Sequence, residues 1–268
     1  SAKEVFDTTP YTILVVDDNP DMTDFLKRTF EGYFKRIIIA GDGVEALQLV
    51  RSHVPDIIVS DVMMPRMNGY KLCKTIKEDI NISHIPVILL TARDDRQSQI
   101  SGYKNGADGY LSKPFEVEML MELIRNRLKN REYTKKRYLN AGLIPTPEES
   151  TISLTDETFL IKLNSIIQEN IENSNLGIQF ICQEVGLGRS SLYNKLKALT
   201  GMGANEYISK LRIEKAITLI SGTDMPFSEI AEKTGFTTPS YFSTAFKQYT
   251  GETPSQYKER KKKGLAGK

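Results

Sequence analysis

Four runs of consecutive, mostly β-branched apolar residues recur in the first part of the chain: Ile13-Leu14-Val15-Val16, Ile37-Ile38-Ile39, Ile57-Ile58-Val59 and Val87-Ile88-Leu89-Leu90. A shorter run, Gly109-Tyr110-Leu111, follows. A strand with one face in water alternates apolar and polar residues. A continuous apolar run instead needs both faces covered, as in a buried parallel sheet. Between the runs lie segments with apolar residues near helical spacing: Phe25/Leu26/Phe30, Val44/Ala46/Leu47/Val50, Leu72/Ile76 and Val117/Leu120/Leu123/Ile124/Leu128. Five strands alternating with five helices predict an α/β half: a doubly wound, five-stranded parallel sheet with right-handed crossovers. Such sheets bind ligands beyond the carboxyl ends of their strands.

Chemistry-bearing residues fall at those ends. Asp17 and Asp18 close the first strand, Asp61 the third and Thr91 the fourth, while Lys113 follows the fifth. One strand-end aspartate is ordinarily a helix N-cap. Three carboxylates in one crevice repel each other and call for a cation, and an all-oxygen donor set suits Mg²⁺. With the metal bound, one carboxylate can attack phosphorus and become an acyl phosphate. Thr91 offers a hydroxyl donor to the phosphoryl oxygens and Lys113 a positive charge. A dinucleotide site would want a Gly-rich turn where Asp17-Asp18-Asn19-Pro20 stands. A hydrolytic phosphotransferase of similar fold would place a second acid at Met63. The only histidines, His53 and His84, lack the helical setting of a phospho-donor, so a donor must come from elsewhere.

Ile13-Leu14-Val15-Val16-Asp17-Asp18, the stretch from Ser60-Asp61 through Asn68-Gly69, Leu90-Thr91-Ala92, and Gly106-Ala107-Asp108 through Lys113-Pro114-Phe115 resemble the four signatures of response-regulator receiver domains. The resemblance implies a flavodoxin-like receiver with Asp61 as phosphoacceptor. It implies Asp18 and Asp61 as direct Mg²⁺ ligands, Asp17 partly through water, and Met63 through its backbone carbonyl. Thr91 and Tyr110 resemble the switch pair: the Thr91 hydroxyl moves toward the phosphoryl group and Tyr110 turns inward. That movement alters the face made by the helix before the fifth strand, the strand itself and the helix after it. The Lys113-Pro114 bond is often cis in this family.

The 268-residue length suits two domains. The formal charge of +2 conceals an asymmetry. Residues 1–130 carry 17 Lys/Arg against 19 Asp/Glu, whereas residues 177–268 carry 14 against 8. A basic half suits a phosphate-backbone partner, although a solvated surface with a basic tail (Arg260 to Lys263) produces the same balance. No apolar run reaches membrane-spanning length and no signal peptide opens the chain. The two cysteines, Cys73 and Cys182, fall in different domains, so a reducing cytoplasm is expected. Pro145 and Pro147 interrupt the chain after a helix that runs on through the basic stretch Arg125–Arg137. The boundaries expected are a receiver over 1–130, a linker over 131–155 and a second, all-α domain over 156–263. Leu154-Thr155-Asp156-Glu157 is expected to cap that domain's first helix.

The second half nearly repeats itself. Leu196-Lys197-Ala198-Leu199-Thr200-Gly201 and Phe246-Lys247-Gln248-Tyr249-Thr250-Gly251 stand 50 residues apart, and Ile181–Gly186 and Ile230–Gly235 stand 49 apart. Each copy reads as a short helix, a glycine-containing turn and a second helix (about Ser190–Leu199 and Pro239–Tyr249), the helix-turn-helix pattern. Ala204–Ser221 reads as one connecting helix of ~27 Å, able to hold two recognition helices in successive major grooves, about 34 Å apart. This portion resembles the DNA-binding domain of AraC-type regulators, most specifically over Gly235-Phe236 and Ser240-Tyr241-Phe242 to Thr253-Pro254 and Tyr257. The resemblance places Ser190, Tyr193 and Asn194 at bases, with Arg189 and Lys195 at phosphates. In the second unit it places Ser240, Ser243 and Thr244 at bases, flanked by Lys247. Asn194 can bond an adenine edge bidentately. Leu192, Leu196, Phe242 and Phe246 are expected in the core, and Arg212 and Lys215 at solvent or phosphate.

The function these readings imply is a two-component response regulator, not an enzyme, in which phosphorylation of Asp61 controls binding to double-stranded DNA. Its expected partners are a histidine kinase in cis or in trans and, when phosphorylated, a second copy as a homodimer. No direct membrane contact is expected. A phosphorelay intermediate without a DNA target is the alternative, and the basic repeat argues against it.

Overall fold

The computed structural model describes residues 6–92, 106–140 and 153–265. The described chain divides into two compact units, 6–140 with 153–157, and 158–265. Of the expected linker 131–155, residues 131–140 continue the preceding helix and 154–155 open the next, while 141–152, like the helix expected between the fourth and fifth strands, lie outside the described residues.

In the first unit β1 (Thr12–Val16), β2 (Arg36–Ala40), β3 (Ile57–Asp61), β4 (Val87–Thr91) and β5 (Gly109–Ser112) form one parallel sheet in the order β2-β1-β3-β4-β5. That is the order of a doubly wound sheet whose crevice opens where β1 and β3 meet. Both faces are covered, which explains the unbroken apolar runs. α2 (Gly43–His53) and α3 (Gly69–Glu78) close over Leu14, Ile58 and Leu89 on one face. α1 (Pro20–Phe30) and α4 (Val117–Asn140) cover Ile13, Val59 and Leu90 on the other. α1 begins with Pro20 in its first turn and an Asn19 side chain accepting from the Asp21 N–H, so the residues after Asp18 turn at once into helix. α4 continues through the basic stretch to Asn140, with Arg131 donating to the Asp56 carbonyl at 3.1 Å.

The remaining helices are α5 (Leu154–Glu169), α6 (Ile178–Val185), α7 (Arg189–Thr200), α8 (Ala204–Gly222), α9 (Phe227–Lys233), α10 (Pro239–Thr250) and α11 (Pro254–Leu265). Leu154-Thr155-Asp156-Glu157 forms the opening turn of α5, and the cap is one residue earlier: the Ser153 Oγ accepts the Asp156 N–H. The pairs α6/α7 and α9/α10 are the two helix-turn-helix units. The first turn has Gly186 at φ +74°, and the second Gly235 at φ +72°. Only glycine adopts this left-handed geometry without strain. Phe236, Phe242, Phe246 and Tyr257 pack in series, with ring centres 5.4, 5.7 and 5.6 Å apart, the first pair tilted and the next two edge to face, and form the core of the second unit. Among the described residues no helix is long and apolar enough to cross a membrane.

Candidate functional site

Asp17 and Asp61 are both buried at the carboxyl ends of β1 and β3. The Lys113 Nζ reaches between them, 2.8 Å from Asp17 Oδ2 and 2.5 Å from Asp61 Oδ1. Backbone donors orient the remaining oxygens: the Asn19 N–H donates to Asp17 Oδ1 at 2.9 Å and the Met63 N–H to Asp61 Oδ2 at 2.7 Å. The Lys113 N–H donates to the Thr91 carbonyl, which holds Lys113 beside β4, and the Lys113-Pro114 bond is cis.

The charges are unequal. Burial, chiefly, and repulsion from Asp17 push the Asp61 carboxyl above its ordinary pKa against the pull of Lys113. Burial opposes the Lys113 charge, but hydrogen bonds and attraction from both aspartates outweigh it and hold the ammonium above its usual range. One ammonium thus serves two buried carboxylates, and Asp18 stands exposed beside them. Negative charge is left over, and all the donors are hard oxygens. Mg²⁺ binds through one or two carboxylates while keeping several waters, and this arrangement fits it. Asp18 is not drawn into a cluster with the other two: among the described residues no three acidic, histidine or cysteine side chains are grouped tightly enough to hold a metal by themselves.

Thr91 is buried at the end of β4 beside Ser112 of β5. Tyr110 is half-buried on β5 and packs against the cluster under α2 and α3. The Met63 side chain is exposed at the rim.

The loop after β3 is held by residues that sequence reading passed over. Buried Asp42 caps α2 through the Val44 and Glu45 N–H groups and pairs with Arg66. The Gly43 N–H donates to the Met67 carbonyl at 3.2 Å. The Asp-Gly pair ahead of an apolar helical run was the available signal for that cap. Gly69 opens α3 with its backbone against β3: a Cβ there would lie 2.3 Å from the Asp61 carbonyl oxygen. Gly69→Ala is therefore expected to displace the Asp61 loop and cost about 1–3 kcal/mol, measured by urea unfolding of the whole chain. An unchanged midpoint would mean that the loop yields freely.

The two recognition helices present different surfaces. On α7, Ser190, Tyr193 and Asn194 are exposed, and exposed Arg189 donates to Gln179 Oε1 at 2.7 Å. Lys195, expected at phosphate, is instead fully buried, its ammonium 5.1 Å from the Phe159 ring centre. The cause is helical spacing: Lys195 lies three residues after Leu192 and four before Leu199, on the inward stripe. On α10, Ser240, Thr244 and Lys247 are exposed and Ser243 half-buried. The Thr244 hydroxyl donates to the Ser240 carbonyl at 3.1 Å, so toward a base it acts as an acceptor. Tyr241, absent from the expected set, is exposed and braced edge-on against Phe236 at 5.7 Å. Leu192, Leu196, Phe242 and Phe246 are all buried. Arg212 and Lys215 are half-buried and each also has a protein partner: Arg212 donates to the Asn173 carbonyl at 2.7 Å and Lys215 pairs with Glu172 at 3.1 Å.

Known proteins match both halves of the chain. Residues 13–125 match the response regulator receiver domain and residues 181–260 a helix-turn-helix domain of the AraC type. Histidine kinase P4 of Formosa agariphila is 41% identical over 249 residues, which is 93% of this chain and 18% of that protein. Response regulator MprA of a Mycobacterium species is 36% identical over 57% of this chain and 70% of its own length. DNA-binding response regulator MtrA of Mycolicibacterium smegmatis is 36% identical over 51% of this chain and 58% of its own. The chain therefore spans a small part of the kinase and just over half of MtrA.

Proposed function

This chain belongs to the response regulators, a receiver domain joined to an AraC-type helix-turn-helix domain, and from that premise we propose that phosphorylation of Asp61 controls its binding to DNA and hence transcription. The observation that carries the proposal is the Asp17–Lys113–Asp61 arrangement at the β1/β3 crevice. A carboxylate oxygen of Asp61 attacks phosphorus, the bond to the donor breaks with its electron pair leaving on the donor, and an aspartyl phosphate remains. Asp18, Asp61 and the Met63 carbonyl would hold Mg²⁺, with Asp17 acting partly through water. The ion supplies Lewis-acid stabilisation of the phosphoryl charge. Lys113 leaves its pairing with the unmodified carboxylate for a phosphoryl oxygen, and the Thr91 hydroxyl donates to another. Tyr110 then shifts further into the space that Thr91 vacates, and the β4–β5 face changes its affinity for a second copy of the chain. The coupling is a difference between two populations.

A histidine kinase is the proposed phosphoryl donor. Similarity to a histidine kinase over almost the entire chain supports a kinase joined in cis, and reading the coding sequence upstream of Ser1 tests that. With Met63 two residues after Asp61, no acid stands ready to activate water there, so the domain is proposed to lose phosphate slowly and to turn over no substrate. The place of action follows the DNA, the cytoplasm.

In the helical domain, Ser190, Tyr193 and Asn194 of α7 are proposed to read bases, with Arg189 at phosphate. Ser240, Ser243, Thr244 and Lys247 of α10 form the weaker reader. Asn194→Ala is expected to weaken binding to duplexes selected from a random pool by about 1–3 kcal/mol while leaving non-specific binding nearly intact. Competition gel shifts against the selected and a scrambled duplex measure this. Equal loss on both would make Asn194 a backbone contact, and no binding of any duplex would favour the phosphorelay reading.

A further inference from the structure

The connecting helix α8 meets the second helix-turn-helix unit and the α5 segment through polar side chains that a simple spacer would not need. The most central is Arg212. Its Nη2 donates to the Asn173 carbonyl, in the turn after α5, at 2.7 Å. Its guanidinium lies over the Phe236 ring, 5.9 Å from the centre. It also crowds Gly235, where a Cβ would fall 2.9 Å from Arg212 Nη2 and 2.2 Å from the Ile171 carbonyl oxygen. The turn of the second unit is thus seated directly on the segment that follows α5, with Arg212 filling the joint. Burial disfavours the guanidinium charge, and the hydrogen bond to the Asn173 carbonyl offsets part of that cost.

From Phe236 the arrangement continues onto α10, because Tyr241 in the first turn of that helix stands edge-on to the Phe236 ring. The far end of α10 is tied to the same helix: the Tyr249 hydroxyl lies 3.3 Å from Glu214 Oε1, and Glu214 faces Lys210 at 3.8 Å. Toward α5, the Tyr207 hydroxyl of α8 donates to Asn164 at 2.8 Å, and Lys215 pairs with Glu172 in the turn that follows. Both ends of the second recognition helix are therefore referred to α8, and α8 to the helix that packs beneath α7.

We propose that Arg212 is the positioning residue that fixes α10 relative to α7, so that this domain reads the spacing between its two half-sites as well as their bases. The inference rests on the DNA-binding function proposed above. Arg212 reaches no base: it acts through Phe236 and Tyr241. A planar fork suits this place, since one side chain donates to a carbonyl while its guanidinium lies over a ring, and lysine offers only a compact point charge.

The test is Arg212→Lys, which keeps charge and helix propensity, in the full chain carrying Cys182→Ser and spin labels at Lys197→Cys and Gln248→Cys, both exposed positions on α7 and α10. With Arg212 present, the label-to-label distance in the DNA-free protein should have one narrow distribution, and with Arg212→Lys a broad one. The unlabelled proteins are then compared on duplexes selected from a random pool and on the same duplexes with one base pair inserted between the half-sites. The insertion should cost the unsubstituted chain on the order of ten-fold in affinity and the variant clearly less, with Phe236→Leu behaving like Arg212→Lys. An equally narrow distribution in both labelled proteins, or an identical insertion penalty, overturns the positioning role. If the unsubstituted chain bound no duplex at all, that would count against the proposed function, and the distance distributions alone would decide this inference.

Discussion

Asp61→Asn is expected to abolish phosphoryl uptake from acetyl phosphate and Mg²⁺ altogether and, at the same time, to raise the melting temperature of the receiver. The two effects share a cause. Asp61 is buried beside Asp17, and its carboxyl is held above the ordinary range mainly by that burial. A carboxyl whose pKa is higher folded than unfolded binds protons preferentially in the folded state, so its ionisation at neutral pH lowers stability. Asparagine removes that charge and keeps the shape, while Lys113 retains Asp17 at 2.8 Å. The gain should shrink as pH falls through the raised pKa, where Asp61 in the unsubstituted chain is itself protonated. Thermal scans across pH, with intact-mass measurement after acetyl phosphate, check both halves. A variant that is modified as readily as the unsubstituted chain would remove Asp61 as acceptor. One that melts lower would show that the Asp61–Lys113 pairing outweighs desolvation.

Phe246→Ala should produce the largest loss of stability in the second half, about 3–5 kcal/mol. Phe246 is fully buried and lies between Phe242 at 5.7 Å and Tyr257 at 5.6 Å, so truncation opens a cavity that touches α10 and α11 together. A loss of that size approaches the entire stability of a small domain. Hydrogen exchange should show protection collapsing over residues 227–262 while β1–β5 are unaffected. Retained protection in α10 would mean that the ring series repacks around the cavity.

The parallel sheet was legible because burial on both faces leaves an unbroken apolar run, and β1, β3 and β4 coincide with such runs. The helix-turn-helix pairs were legible because Gly186 and Gly235 punctuate matching patterns. What escaped the sequence depends on partners far along the chain. Lys195 reads as a cation beside a recognition surface until Phe159, 36 positions earlier, covers it. Arg212 reads as a solvated charge until the Asn173 carbonyl and the Phe236 ring are seen against it. The Asp42–Arg66 pair bridges two loops that meet only once β1 lies between β2 and β3. For Lys195 the spacing from Leu192 and Leu199 pointed inward against its charge, and for the loop residues Asp42 and Arg66 no helical spacing applied.

The central claim is a coupling between Asp61 and DNA. It is tested most directly by titrating a selected duplex with the full chain in Mg²⁺, with and without beryllofluoride, using fluorine NMR to establish that the receiver is loaded. Affinity should shift on the order of ten-fold for the unsubstituted chain and not at all for Asp61→Asn. A loaded receiver with unchanged affinity for its duplex would contradict it.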